Sequence, residues 1–479
     1  MRSVAALLLL LLCASVATAC SGDRDPNPNA KPLPPSSYVL PERIVQQIRD
    51  HQDDANRIID YFTKGPGQGQ TYTRLASLVD TVGPRPSGSA SLERAIDMML
   101  GNLKADRLDN VHGEPAWIPH WVRGAEYVQL LEPHDFTMNI LSLGSSVGTG
   151  PQGITAEAIV VSSFEELTNR SAEAKGKIVV FNQPFVSYGE TSVYRTQGAS
   201  AAAKVGGVAS LIRTIAPFSI YSPHTGVQFY TDGIPKIPTA CITIEDAEMM
   251  ARMHARGQRI VLKVYLEAQN LNDTLSRNTV AEVVGSTHPE QVVLVSGHLD
   301  SWDIAEAAMD DAGGAIISWQ ALSVVKALGL KPKRTMRALL WTSEEFGGVG
   351  SQQYYNSQAN NTGNYSIVME SDLGTFTPTG LEFTGSPAAT AIIQQIGQLL
   401  VNANATVVDC SLTFRHLLFC SLSGVPGASL HNDNDDYFYF HHSRGDTMTV
   451  EDPVALDLCA AVWAVYAYVI ADLDDMLPR

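Results

Sequence analysis

Val292-Val293-Leu294-Val295-Ser296-Gly297-His298-Leu299-Asp300-Ser301-Trp302-Asp303, followed after six residues by Asp310-Asp311-Ala312-Gly313-Gly314, is the stretch that decides how this chain reads. Val292 to Val295 is an unbroken apolar run, the pattern of a strand buried on both faces of a parallel sheet. His298 and the aspartates lie just past its end. Open α/β sheets place their sites there, outside the carboxyl ends of the strands. The paired glycines open a helix expected to run, largely apolar, to Leu328. The stretch therefore predicts an α/β fold and offers the first half of a two-metal site.

Working outward, similar units recur. Met336 to Trp341 is a strand followed by Thr342-Ser343-Glu344-Glu345. Ser366 to Met369 is another, ending in Glu370-Ser371-Asp372. A late strand, Gly424 to Leu430, precedes His441-His442-Ser443-Arg444-Gly445-Asp446-Thr447. Helical crossovers bring such strand ends to one edge of a sheet. Two histidines and three carboxylates suit a pair of zinc ions. One carboxylate must bridge them, since two-metal sites hold their ions roughly 3.5–4 Å apart. A further carboxylate must handle the proton of the attacking water.

Upstream, helices are expected over Val39 to Phe62, Tyr72 to Val82 and Ser91 to Ala105, with the turn Gly83-Pro84-Arg85-Pro86-Ser87-Gly88 between the last two. Residues 126–269 change character to short β-rich runs with a few helices, among them Ile178 to Phe181, Ala209 to Ile212 and Ile260 to Leu266. They read as a β-rich insert in which nothing looks catalytic. The final helix is marked by Asp452 at its N-cap, Pro453 at N1 and apolar residues to Ala471. Asp457 interrupts it, so a core helix is expected rather than a membrane span.

The 479 residues carry 33 basic and 50 acidic side chains, a net charge of −17 that disfavours nucleic acid and anionic membranes as partners. Arg2, the Leu7 to Leu12 run and Ala17-Thr18-Ala19 have the form of a secretory signal over residues 1–19, with a Pro-rich leader over 20–38. Candidate N-glycosylation sequons stand at Asn169, Asn272, Asn360, Asn364 and Asn404. The cysteines beyond the signal are few and odd in number, so no disulfide framework is expected, although Cys410 and Cys420 could pair.

His298-Leu299-Asp300, Asp310-Asp311, Glu344-Glu345, Glu370-Ser371-Asp372 and His442-Ser443 together resemble the motif series of the co-catalytic zinc exopeptidases, a family that includes secreted aminopeptidases and glutamate carboxypeptidases. The resemblance runs from about Val39 to Arg479. It implies a zinc peptidase domain over 39–125 and 270–479, with a mixed, mainly parallel sheet flanked by helices, and a protease-associated domain inserted at 126–269. It further implies that His298 and Asp372 hold one zinc, Glu345 and His442 the other, that Asp310 bridges both, and that Glu344 is the general base. Asp300 would orient His298. A small-peptide substrate, a homodimer and a secreted or lysosomal location are also implied. Two departures stand out. Ala305 and Ala307 occupy a loop before Asp310 that is glycine-rich in the family, with Ala312 just after, and alanine does not take positive φ cheaply. Arg415-His416 stand where the family has a glycine-rich segment with a Thr-Asp pair. The expected activity is that of a carboxypeptidase or dipeptidase. An aminopeptidase and a catalytically inactive binding module are the alternatives.

Overall fold

Eight strands form the central sheet in the spatial order Asp109–Ile118, Thr274–Val283, Arg334–Trp341, His288–His298, Tyr365–Glu370, Gly427–Asn432, Pro378–Thr384 and Val407–Asp409. The computed structural model describes residues 38–410 and 423–479. The expected signal and most of the leader, together with Arg415, His416 and Cys420, lie outside those residues. The fold is α/β, a mixed sheet flanked by helices. Its inner block, the strands Arg334–Trp341, His288–His298, Tyr365–Glu370 and Gly427–Asn432, is parallel. His298 pairs level with Trp341, and Ser296 with Glu370. The residues that follow these strands therefore emerge side by side on one edge.

Alternation explains why the run at Val292 is apolar throughout. Val293 and Val295 face a core built with the Gly313–Ala327 and Pro453–Asp472 helices, while Val292 and Leu294 face a second cluster with Trp341, Tyr354 and Tyr365. A strand covered on both faces has no polar side. The Pro453–Asp472 helix is apolar enough to span a membrane by composition alone, but it is buried from Ala455 to Ala471 apart from Leu458. Asp452 caps it by accepting from Val454 N and Ala455 N, with Pro453 in the first turn. Asp457 is not a flaw in this helix. Its carboxylate accepts from Gly69 N at 2.5 Å and Thr71 Oγ1 at 2.6 Å, and so caps the Gln70–Val82 helix, whose own N-cap is a glycine.

The Asp109–Ile118 strand is not apparent in the sequence, where Gly113 and Pro115 argue against it. It lies at the sheet edge, where a proline without an N–H is tolerated.

A second eight-stranded sheet is formed by residues 126–266. Four of its strands, Ile154–Val161, Ile178–Phe181, Ala209–Arg213 and Thr239–Ile242, run parallel. The Tyr188–Lys204 and Ile244–Ala255 helices connect or follow them. Its small-residue helix begins earlier than the sequence pattern suggests, at Tyr188, and serves as a crossover between parallel strands. Cys241 and Cys459 are buried free thiols, and Cys410 is half-buried.

Candidate metal centre

The parallel strand ends bring His298, Asp310, Glu345, Asp372 and His442 together. His298 Nε2 stands 3.3 Å from Asp310 Oδ1 and 3.3 Å from Asp372 Oδ1. His442 Nε2 stands 3.3 Å from Asp310 Oδ2 and 2.9 Å from Glu345 Oε2. Asp310 therefore lies between two clusters, one oxygen toward each histidine. Glu344 points to the same space, with Oε2 3.9 Å from His298 Nε2.

His298 Nε2, Asp310 Oδ2 and Asp372 Oδ1 are buried without a hydrogen-bond partner. Buried polar atoms are rarely left so, and unpartnered ones gathered on both sides of Asp310 are what bound cations would satisfy. Among the described residues, three groups of side chains converge closely enough to hold an ion: Asp310 with His441 and His442, His298 with Asp310 and Glu345, and His298 with Asp311 and Asp372. Mixed nitrogen and oxygen donors suit zinc. Asp311 is the weaker ligand candidate, because its oxygens already accept from His298 N at 2.9 Å and Gly314 N at 3.1 Å. His441 is a nearby residue that the sequence did not single out. Its ring stacks on His442 at 3.6 Å, with Nε2 3.5 Å from Asp310 Oδ2.

The electrostatics point the same way. Burial pushes the Glu345 carboxyl up to about 7, against the pull of His442 and with Asp310 adding repulsion. Burial also raises Asp372. Burial would raise Asp310 too, but contacts with His298 and His442 outweigh it and hold that carboxyl well below its usual range. Acidic groups here outnumber the positive charge available to them.

Backbone groups set the histidines. His298 Nδ1 bonds the Asp300 carbonyl at 2.9 Å. The Asp300 carboxylate is farther, at 3.7 Å, and instead accepts from Glu344 N at 2.9 Å and Glu345 N at 3.2 Å. Asp300 thus orients His298 through its carbonyl and holds the Glu344-Glu345 turn through its side chain.

Strain collects around the cluster. Ala307, Ser343 and His442 all have positive φ, at 52°, 56° and 58°. Such residues persist only where their surroundings fix them. Ala307 is the case raised by the alanine-bearing loop, and two contacts hold it. Its N–H donates to the Asp446 carbonyl at 3.1 Å, and its own carbonyl accepts from Arg85 Nη2 at 2.9 Å. Arg85 also donates to the carbonyls of Leu299, Glu306 and Gly83. Asp446 accepts from Met309 N and Asp310 N. Both residues stand in quoted motifs, Gly83 to Gly88 and Gly445 to Thr447, but their bonds go to backbone atoms that a sequence does not display.

Residues 278–467 match the model of peptidase family M28. The carboxypeptidase Q of Pongo abelii is 58% identical over 438 residues, covering 91% of this chain and 93% of its own. A peptidase M28 precursor from Shewanella amazonensis superposes with a TM-score of 0.86 at 29% identity, covering 90% of this chain and 99% of its own. A zinc aminopeptidase from Bacillus subtilis shares the fold, with a TM-score of 0.64 at 18% identity over 85% of this chain and 98% of its own.

Proposed function

The chain belongs to peptidase family M28, and from that membership we propose a secreted or lysosomal dizinc exopeptidase that hydrolyses small peptides with free termini, as a carboxypeptidase or dipeptidase. The observation that carries the metal assignment is the position of Asp310, one oxygen toward each histidine. His298 and Asp372 would hold one zinc ion and Glu345 and His442 the other, with Asp310 shared. Bound there, zinc supplies Lewis-acid polarisation of the scissile carbonyl and stabilises the charge that develops on its oxygen.

Glu344 is the proton carrier in this reading. Its neighbour Glu345 is turned to His442, whereas Glu344 faces the cluster without belonging to a ligand group. Its carboxylate takes a proton from the attacking water and returns it to the departing amine nitrogen. The Asp300 carboxylate fixes this by gripping both glutamate N–H groups. Trp302, Ile304 and Ala305 line a small cavity beside Asp310 and Glu345.

The secretory part of the reading agrees with the surface. All five sequon asparagines are exposed, as glycan attachment requires. A homodimer belongs to the same family-based reading.

The test is a panel of unblocked, N-blocked and C-amidated dipeptides. Activity on unblocked dipeptides, lost with a chelator and regained with zinc, is expected. Glu344→Gln should lower kcat by about 10²–10⁴ while metal content stays unchanged. Full activity in that variant would refute the proton-carrier role. Cleavage of C-amidated but not N-blocked substrates would reassign the enzyme as an aminopeptidase.

A further inference from the structure

We infer that the inserted region is a working part of the metal centre: its His224-Thr225-Gly226 turn fixes the ring of His442. The inference rests on the reading of His442 as a zinc ligand.

Two chain segments meet here as a short ladder. Thr225 N donates to the His442 carbonyl at 2.8 Å, and the Thr225 carbonyl lies 3.1 Å from His442 Nδ1. One step back, His224 Nδ1 lies 2.6 Å from the His441 carbonyl. A carbonyl oxygen only accepts, so His442 Nδ1 carries the ring proton. Its Nε2 is then the nitrogen with a free lone pair, and Nε2 is the atom turned to Asp310 and Glu345. In metal sites a ligating histidine commonly has its second nitrogen tied in this way. His298 takes that bond from Asp300 in its own loop. His442 takes it from a different part of the chain.

Thr225 is itself held by three further hydrogen bonds, one at its carbonyl and two at its hydroxyl. Arg195 Nη1 donates to Thr225 O at 3.3 Å, and Arg195 Nη2 donates to Tyr188 Oη at 2.7 Å. Thr225 Oγ1 donates to the Ser142 carbonyl at 2.8 Å and accepts from Arg123 Nη2 at 3.5 Å. Arg123 is anchored in turn by Asp303, at 2.6 Å, in the loop between His298 and Asp310. Arg195 is buried, and its guanidinium lies on the backbone at Gly226. A Cβ at that position would stand 2.5 Å from Arg195 Cζ, and Gly226 has φ of 142°. Glycine is required there because the turn must pass this close to the cation. Thr225 is therefore a positioning residue acting through its carbonyl. The inserted region sets the geometry of one metal and leaves the other to the peptidase sheet.

The experiment measures stepwise Co²⁺ binding to metal-free full-length protein, by visible spectroscopy and by metal analysis after dialysis. Wild type, Gly226→Ala and Arg195→Gln are compared, with Lys263→Ala as a control elsewhere in the insert. Both test variants should bind one ion about 10–100-fold more weakly, with the affinity for the other ion unchanged. The control should match wild type. Arg195→Gln decides the matter if Gly226→Ala does not fold. Two ions in wild type with unchanged affinities in the folded variants would overturn the proposal alone, as would equal weakening of both ions. Fewer than two ions in wild type would overturn the two-metal reading and this proposal with it.

Discussion

Replacing Arg85 by methionine tests whether a buried cation holds the loop between His298 and Asp310. The guanidinium is fully buried and donates to Leu299 O at 2.7 Å, Glu306 O at 2.8 Å and Ala307 O at 2.9 Å. Its hydrogen bonds go to carbonyls. Asp446, Asp300, Asp311 and Asp310 supply counter-charge through space, while burial brings its pKa down to about 10. Methionine keeps most of the stem and removes every donor. Each carbonyl left unpaired costs about 1–3 kcal/mol. Part of this is offset, because the cost of burying the guanidinium disappears as well. The net loss should be roughly 3–5 kcal/mol, the range for removing one partner of a buried charged pair. Function should suffer with stability. Ala307 has φ of 52°, which disfavours an L-residue by about 1–2 kcal/mol. Freed from Nη2, it can relax and carry Asp310, three residues on, away from the histidines. Denaturant unfolding of the apo protein gives the first effect, and kcat/KM of the zinc-loaded protein the second. Arg85→Lys should recover part of both, since one ammonium reaches fewer carbonyls. An unchanged unfolding midpoint and unchanged kcat/KM in Arg85→Met would refute the argument.

Three further outcomes follow from the packing. Gly314→Ala places a Cβ against the Ser371 carbonyl and the Asp311 carboxylate, neither of which can withdraw, so a loss at or above the ~3 kcal/mol upper end for overpacking is expected in thermal unfolding. Asp457→Ala strips the cap from the Gln70–Val82 helix and leaves the part-buried Gly69 N–H and the buried Thr71 hydroxyl without this partner, which should cost roughly 2–4 kcal/mol in the same assay. For His51, burial lowers the pKa, but its bonds to Asp472 and to the Gln47 carbonyl raise it to a net value above 6.5. The pair thus stabilises the fold fully below pH 6.5 and loses that contribution as pH rises through the raised value, so the unfolding gap between wild type and His51→Gln should narrow with increasing pH.

What the sequence displayed and what it withheld divide along a physical line. Side chains that act at strand ends were readable, because a strand's period and its apolar run fix where the chain leaves the sheet. That placed His298, Glu344, Glu345 and Asp372 at one edge before any coordinates. The carbonyls of Leu299, Asp300 and Thr225 have no letter in the sequence, so the grip of Arg85 and the setting of His442 could not be read, and the resemblance pointed to Asp300 beside His298 but not to its carbonyl. Asp457 looked like a polar break in an apolar helix, because its partner helix begins at a remote Gly69. The insert looked inert for the same reason: its contribution is one turn of backbone. Glycines told more. Gly297 and Gly314 mark the place where Asp311 is wedged between strand and helix, and Gly226 marks the place where a guanidinium lies on the chain.

Asp310 sits between two histidines that are far apart in the chain, and one of those histidines is set by a turn of the insert. The cluster is therefore complete only once the C-terminal segment has docked. The segment carrying His442 and Asp446 leaves the ribosome long after the insert and the first ligands. Until it docks, Asp310 has His298 beside it but not His441 or His442. Chain order therefore leaves the His442 side of the cluster to be completed last.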